Sequence, residues 1–211
     1  MKKLLNLTQK IKRKSKKILK FFVFIFFFIF AFFAYSCENL NKFQEQPSVI
    51  SEKYNIYDHE VIDGDTLKIK LTFETKTLRI YGIDTPEMNI KGSNPKEPTK
   101  GEKRFYAEKA KHFLKMWTKK HTNFQYKQIA KDKYGRIVAK LYDENNDFAT
   151  EILKEGLAIF EYISLDQKDK YYTKDKNYFN QLVQAQKFAM QNQKGFWNKY
   201  NSVKKIKKVI Y

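Results

Sequence analysis

The order of apolar and polar positions from residue 56 onward divides the chain into short strand-like runs followed by helical ones. Runs at 56–62, 66–72 and 76–81 are rich in β-branched and aromatic residues and separated by short polar turns, which predicts strands. Asp63-Gly64 lies between the first two. Asp-Gly is a strong hairpin signal because both residues tolerate positive φ, so the three runs predict an antiparallel meander. Residues 83–100 hold three of the four prolines and predict an irregular loop. After it, Tyr106, Ala110, Phe113, Leu114 and Trp117 recur at three- and four-residue spacing, which puts one apolar stripe on a Lys- and Glu-rich helix. Two more strands, 124–130 and 136–142, flank a turn at 131–135. A short helix at 148–155 is followed by Gly156, a residue suited to ending it. A longer helix at 178–193 points Leu182, Ala185 and Ala189 inward, with Gly195 just beyond. The class is α+β: a five-stranded small barrel with three helices packed on it leaves no long sheet edge open.

The N-terminal segment reads differently. Nine Lys or Arg and no acid in residues 1–20 lead into an apolar stretch of about sixteen residues dominated by phenylalanine, short of the ~20 that a spanning helix needs. Basic residues before it and small ones after it are the pattern of an export signal. Cys37, the single cysteine, ends that stretch, so no intramolecular disulfide is possible. The segment resembles a bacterial lipoprotein signal, which implies lipid attachment at Cys37 and a membrane anchor facing outside the cytoplasm. An uncleaved anchor, or cleavage near Ala34, are the alternatives. Residues 38–54 are too polar to pack on a core and read as a tether. The organisation is then 1–37 signal and anchor, 38–54 tether, 55–200 folded domain and 201–211 basic tail, with nothing that demands more than a monomer.

Charge sharpens this. The chain carries 42 Lys and Arg against 23 Asp and Glu, a formal +19, and without the first twenty residues the balance is still +10. That surplus fits a polyanionic partner and equally fits a solvated, soluble surface. His59, His112 and His121 have no ligand-like spacing and no cysteine partner; they read as surface or strand residues and not as a zinc site.

Four segments concentrate polar groups for which a core has no use: Asp63-Gly64-Asp65-Thr66, Arg79, Asp84-Thr85-Pro86-Glu87 and Asp132-Lys133-Tyr134-Gly135-Arg136. Each alone has a plain reading as a turn, a helix cap or a solvated strand residue. Together they supply what phosphodiester hydrolysis needs: a cation, a group to act on water, and positive donors for the charge of the transition state. Asp65 and Asp84 offer hard oxygen ligands, and Pro86 holds Thr85 extended so that its carbonyl can turn toward the same ion. Glu87 lies near enough to hold a water bound there. Arg79 and Arg136 can grip phosphate oxygens in a fork that lysine cannot copy.

Taken in order and separation, Val61-Ile62-Asp63-Gly64-Asp65-Thr66, Leu78-Arg79, Ile83-Asp84-Thr85-Pro86-Glu87 and Asp132-Lys133-Tyr134-Gly135-Arg136 resemble the staphylococcal nuclease (thermonuclease) family. The likeness continues through Glu155-Gly156-Leu157-Ala158 and Gly195-Phe196-Trp197. The resemblance implies an OB-fold barrel and Ca²⁺ held by Asp65, Asp84 and the Thr85 carbonyl. It implies Glu87 as general base, Arg79 and Arg136 as phosphate donors, and Lys133, Tyr134 and Tyr162 as nucleotide contacts. The implied reaction cuts DNA or RNA at the 5′ oxygen and leaves 3′-phosphates. Ser164 departs from the pattern, standing where the family carries a second tyrosine. The alternative reading is a catalytically inactive nucleic-acid-binding module on the same fold.

Overall fold

The computed structural model describes residues 53–56 and 58–211. The basic leader, the phenylalanine run, Cys37 and nearly all of the tether, with the export and lipid-anchor expectations attached to them, lie outside the described residues. Among the described residues no helix is long and apolar enough to cross a membrane.

The strands are β1 Lys53–Asn55, β2 His59–Val61, β3 Thr66–Lys70, β4 Thr75–Ile80, β5 Ile83–Asp84, β6 Gln125–Lys131, β7 Ile137–Tyr142 and β8 Ile159–Phe160. The helices are α1 Gly101–Lys120, α2 Phe148–Lys154, α3 Lys176–Gln191 and α4 Val203–Ile210, with a 3₁₀ turn at Gly195–Asn198. Six strands pair in the order β1-β6-β7-β4-β3-β2, and β5 pairs with β8 in a second, two-stranded sheet. The β2-β3-β4 meander is antiparallel as the turn signals predict, while β4 and β7 run parallel.

This corrects the expected five-stranded barrel with three helices. The first strand-like run, 56–62, holds only β2, which pairs with β3 at one end of the sheet; β1 lies just before it, at residues read mostly as tether, and pairs with β6 at the other end. No ladder joins β1 to β2 among the described residues, so the hydrogen bonding does not close. The sheet nevertheless curls. In a flat six-stranded sheet the outer strands would stand ~24 Å apart. The four Cα steps from Asn55 to His59 span at most ~15 Å. Ile56, buried at this corner, donates its amide to the Phe124 carbonyl.

Alternation places Leu67, Ile69, Leu78, Ile80, Ile137, Ala139 and Leu141 on the inner face, where they meet Ala110, Leu114 and Trp117 of α1 and Phe148, Ile152 and Leu153 of α2. Burying each large side chain contributes roughly 1.5–3 kcal/mol. Leu182, Ala185 and Ala189 of α3 are buried as expected. The residues read as a basic tail hold α4, whose Ile206 and Ile210, one turn apart, are fully buried. Four lysines dominate that segment and mask its two-residue apolar stripe. His121 is also not a surface residue: it is buried, stacked on Trp117 at 4.4 Å and hydrogen-bonded to Asp143. His59 lies in β2 as read, and His112 is exposed on α1.

Candidate active site

The site forms where the β2–β3 turn, the end of β4 and the segment after β5 meet. In the turn, the amides of Ile62 and Asp63 both donate to the Thr66 carbonyl, and the Asp65 amide donates to Asp63 Oδ1 at 3.1 Å. Gly64 does not have the positive φ that its hairpin signal suggests. It is required by proximity instead: a Cβ there would lie 2.5 Å from Ala110 Cβ on α1 and 2.9 Å from Thr85 Oγ1. The turn is therefore pressed against α1 and against the segment carrying the second acid. Register sets Thr66 opposite Arg79, and the Ile80 amide donates to the Asp65 carbonyl at 2.8 Å.

These constraints bring Asp65, Arg79, Asp84 and Thr85 together. Asp65 Oδ2 accepts the Thr85 amide at 2.7 Å and the Thr85 hydroxyl at 2.8 Å, while Oδ1 accepts the Thr66 hydroxyl at 3.0 Å. Arg79 spans both acids, with Nη1 2.8 Å from Asp65 Oδ2 and Nη2 2.6 Å from Asp84 Oδ1. The Asp84 backbone is held from outside the predicted set, because the Tyr211 hydroxyl donates to its carbonyl at 2.6 Å.

Glu87 is exposed at the rim. Its loop is pinned by Thr99, whose hydroxyl donates to the Glu87 carbonyl at 2.9 Å, and by Arg104, whose Nη1 donates to the Met88 carbonyl at 2.9 Å. The expectation of an irregular loop therefore needs amending: it opens with β5, and a bridge between Asn89 and Pro98 ties its middle. Thr99, Arg104 and Tyr211, which hold the backbone around the acids, are the site contacts that the sequence did not indicate, and Asp63 joins the cluster without having been given a role. Their partners are fixed by tertiary contact, and apart from Asp63's adjacency to Gly64 no local signal marks them.

The electrostatics explain what such a cluster can hold. Burial raises the carboxyls of Asp63 and Asp84, partial loss of solvent at the rim raises that of Glu87, and in all three the charge of Asp65 raises them further. Arg79 opposes each rise, but one guanidinium faces four acids. The surplus negative charge and the hard oxygen donors fit a divalent cation of the calcium type, which binds carboxylate and carbonyl oxygens. Arg79 gathers Asp65 and Asp84 onto one cationic group. Among the described residues no group of three or more His, Cys, Asp and Glu side chains is placed to hold a metal ion.

The β6–β7 hairpin carries the remaining predicted residues. Asp132 Oδ1 accepts the amides of Tyr134 and Arg136, its Oδ2 accepts Arg136 Nε at 2.7 Å, and Gly135 takes φ +79°. Lys133 and Arg136 both lie over the Tyr134 ring, which is 69% exposed. The β4–β7 register pairs Arg79 with Val138, so the alternation sets Arg136, two residues earlier, on the Arg79 face. Among the described residues the ion pair of Arg136 is with Asp132 and not with Asp65, Asp84 or Glu87.

Tyr162 does join the cluster: its ring lies 5.8 Å from the Arg79 guanidinium, and its backbone is held at φ +59°, a conformation unusual for a residue with a Cβ. Ser164 donates its amide to the Tyr171 carbonyl at 2.9 Å, and the Tyr171 ring stands 5.1 Å from that of Tyr162. A second aromatic thus reaches Tyr162 from a different chain position.

Fold and site define an α+β protein with a cation-compatible acid cluster, bridged by arginine, on the turns of one curled sheet. The sequence model described as "Staphylococcal nuclease homologue" matches residues 77–199. The chain belongs to this family. It is 32% identical over 140 residues to "Thermonuclease" of Staphylococcus intermedius, covering 66% of this chain and 73% of the relative. It is likewise 32% identical over 139 residues to "Thermonuclease" of Staphylococcus hyicus, covering 65% and 72%. A "SPbeta prophage-derived endonuclease YokF" of Bacillus subtilis (strain 168) is 26% identical over 139 residues, covering 65% of this chain and 42% of the relative.

Proposed function

We propose that this protein is a calcium-dependent endonuclease that hydrolyses DNA and/or RNA phosphodiesters at the 5′ oxygen and leaves 3′-phosphates. The observation that carries this reading is the buried Asp65–Arg79–Asp84 bridge with the accessible Glu87 at its rim. Asp65, Asp84 and the Thr85 carbonyl are the ligand set. These residues would hold the calcium, which when bound would supply positive charge against the phosphate and favour ionisation of water. Glu87, whose carboxyl is raised by partial loss of solvent at the rim and by the Asp65 charge, takes the proton from the attacking water. Arg79 presents five N–H donors, of which the observed contacts use only those on Nη1 and Nη2, leaving others for a phosphate. Arg136 supplies a second fork from the same sheet face, and Lys133, Tyr134 and Tyr162 contact the nucleotide. The names of the thermonuclease and endonuclease relatives support the same activity.

The test is digestion of labelled DNA and RNA by the purified protein with Ca²⁺ and then with chelator, with product ends identified by mass. Glu87→Gln is expected to lose roughly 10²–10⁴-fold in rate while binding, followed by anisotropy, persists. Undiminished cleavage by Glu87→Gln would remove the assigned chemistry. A parent protein that binds and never cuts would establish the inactive binding module.

The same reading places the protein outside the cytoplasm as a monomer, anchored through Cys37. Mass spectrometry of the mature protein is expected to find an acylated Cys37 as the first residue, and a free thiol there, or residues before it, would end that proposal.

A further inference from the structure

We propose that one flank of α4 is a second phosphate-binding surface that holds the nucleic-acid strand beyond the scissile nucleotide; the proposal rests on the nuclease reading above. The family match covers residues 77–199 and stops short of α4. Its apolar side, Ile206 and Ile210, is spent in the core. What remains is directional. Lys204, Lys207, Lys208 and Tyr211 stand at three- and four-residue spacings and therefore share one flank, whereas Lys205 and Val209 fall on the other.

That flank is the one joined to the site. Tyr211 donates its hydroxyl to the Asp84 carbonyl at 2.6 Å, and its own carbonyl accepts Lys103 of α1. Lys207 pairs at 2.7 Å with Glu161, the neighbour of Tyr162. Lys204 and Lys208 are exposed and make no ion pair with a described residue. At 1.5 Å rise per residue, Lys204 stands ~10 Å along the helix from Tyr211, a span of about three nucleotides at 3.4 Å per strand position. A strand seated at the site would have its flanking phosphates beside these ammonium groups. Because both isoleucines are already buried and Val209 alone of the large apolar side chains of α4 is exposed, the helix lacks the apolar face needed to enter a lipid surface, and the anionic partner favoured is nucleic acid.

The test compares the full protein with Lys204→Gln/Lys208→Gln and, as a control from the opposite flank, Lys205→Gln. Binding is read by anisotropy in chelator across a salt series. The probes are a labelled dinucleotide and a single strand of about twelve nucleotides, whose length of ~40 Å exceeds the reach of the site. The double variant should bind the long strand with a log–log salt slope reduced by ~1.4, at ~0.7 per lost contact, and leave the dinucleotide unaffected. Lys205→Gln should change neither. An unchanged slope, an equal loss from Lys205→Gln, or an effect confined to binding of anionic phospholipid vesicles would overturn the proposal. Binding is scored apart from cleavage, so the two readings fail separately. A parent that never cuts, together with a double variant whose long-strand slope falls, upholds the α4 surface and removes the nuclease. A parent that cuts while the double variant binds like it removes the surface alone.

Discussion

Thr85 donates twice to a single oxygen of Asp65, twenty residues earlier in the chain: its amide lies 2.7 Å from Oδ2 and its hydroxyl 2.8 Å. Both residues are buried, at 3% and 5% exposure, so neither bond has water as a substitute. This contact joins the turn bearing one acid to the segment bearing the other. Thr85→Val keeps the shape and deletes one donor. It is expected to lose about 1–2 kcal/mol in urea denaturation and to raise the calcium concentration needed for half-maximal cleavage, while Thr85→Ser keeps both near the parent. Equal behaviour of the Val and Ser variants would show that the hydroxyl does not orient Asp65.

Gly64 is held by contact and not by its φ, which makes its replacement diagnostic. Gly64→Ala drives a methyl to 2.5 Å from Ala110 Cβ and should destabilise the protein by about 1–3 kcal/mol. Adding Ala110→Gly removes the opposing methyl. It should recover part of the loss in spite of the ~1 kcal/mol that glycine costs within a helix. A double-mutant cycle in urea with no coupling between the two positions would contradict the close approach.

Arg136 is bound to Asp132, whose Oδ1 independently receives the Tyr134 and Arg136 amides, so the turn does not depend on the guanidinium. Arg136→Lys should therefore leave the melting temperature nearly unchanged. It should cut the cleavage rate by about 10³-fold, by analogy with arginine donors in phosphoryl transfer. A Lys variant that keeps the full rate would place Arg136 outside the transition-state contacts.

Asp143 offers a pH test away from the site. Burial raises its carboxyl, but the Asn145 amide, His121 and Asn146 outweigh that and hold it down at about 2, below its ordinary 3.8. A depressed carboxyl contributes stability above its unfolded pKa and loses it as pH falls through the folded one, so the window is pH ~4 to ~2. In that window the parent should lose about 1–2 kcal/mol more than Asp143→Asn, after allowance for solvent screening. Parallel acid limbs for parent and variant in chemical denaturation would show that the carboxylate does not carry the effect.

Local pattern located most of the elements. The α1 stripe, the β2–β3–β4 meander, the β6–β7 hairpin and the inward face of α3 each follow from spacing within one segment, because period and turn chemistry are properties of neighbouring residues. α4 escaped because two isoleucines among four lysines read as composition before they read as a stripe. β1 escaped because its residues, polar and read mostly as tether, take their strand pairing from the distant β6.

By itself the sequence determined which chemical groups are present and in what order: two acids and a glutamate on turns, two arginines beside them, and a family membership legible in that order. Only the tertiary structure decided which of them meet. It placed Arg79 between Asp65 and Asp84, set Thr85 on Asp65 and Tyr211 on the Asp84 carbonyl, and left Arg136 with Asp132. The reason is that spacing along a chain constrains contacts only within a turn or a hairpin. A contact across twenty or more residues depends on how the curled sheet and its helices close around the core, and the parallel β4–β7 pairing that brings the two arginine positions to one face is a product of that closure.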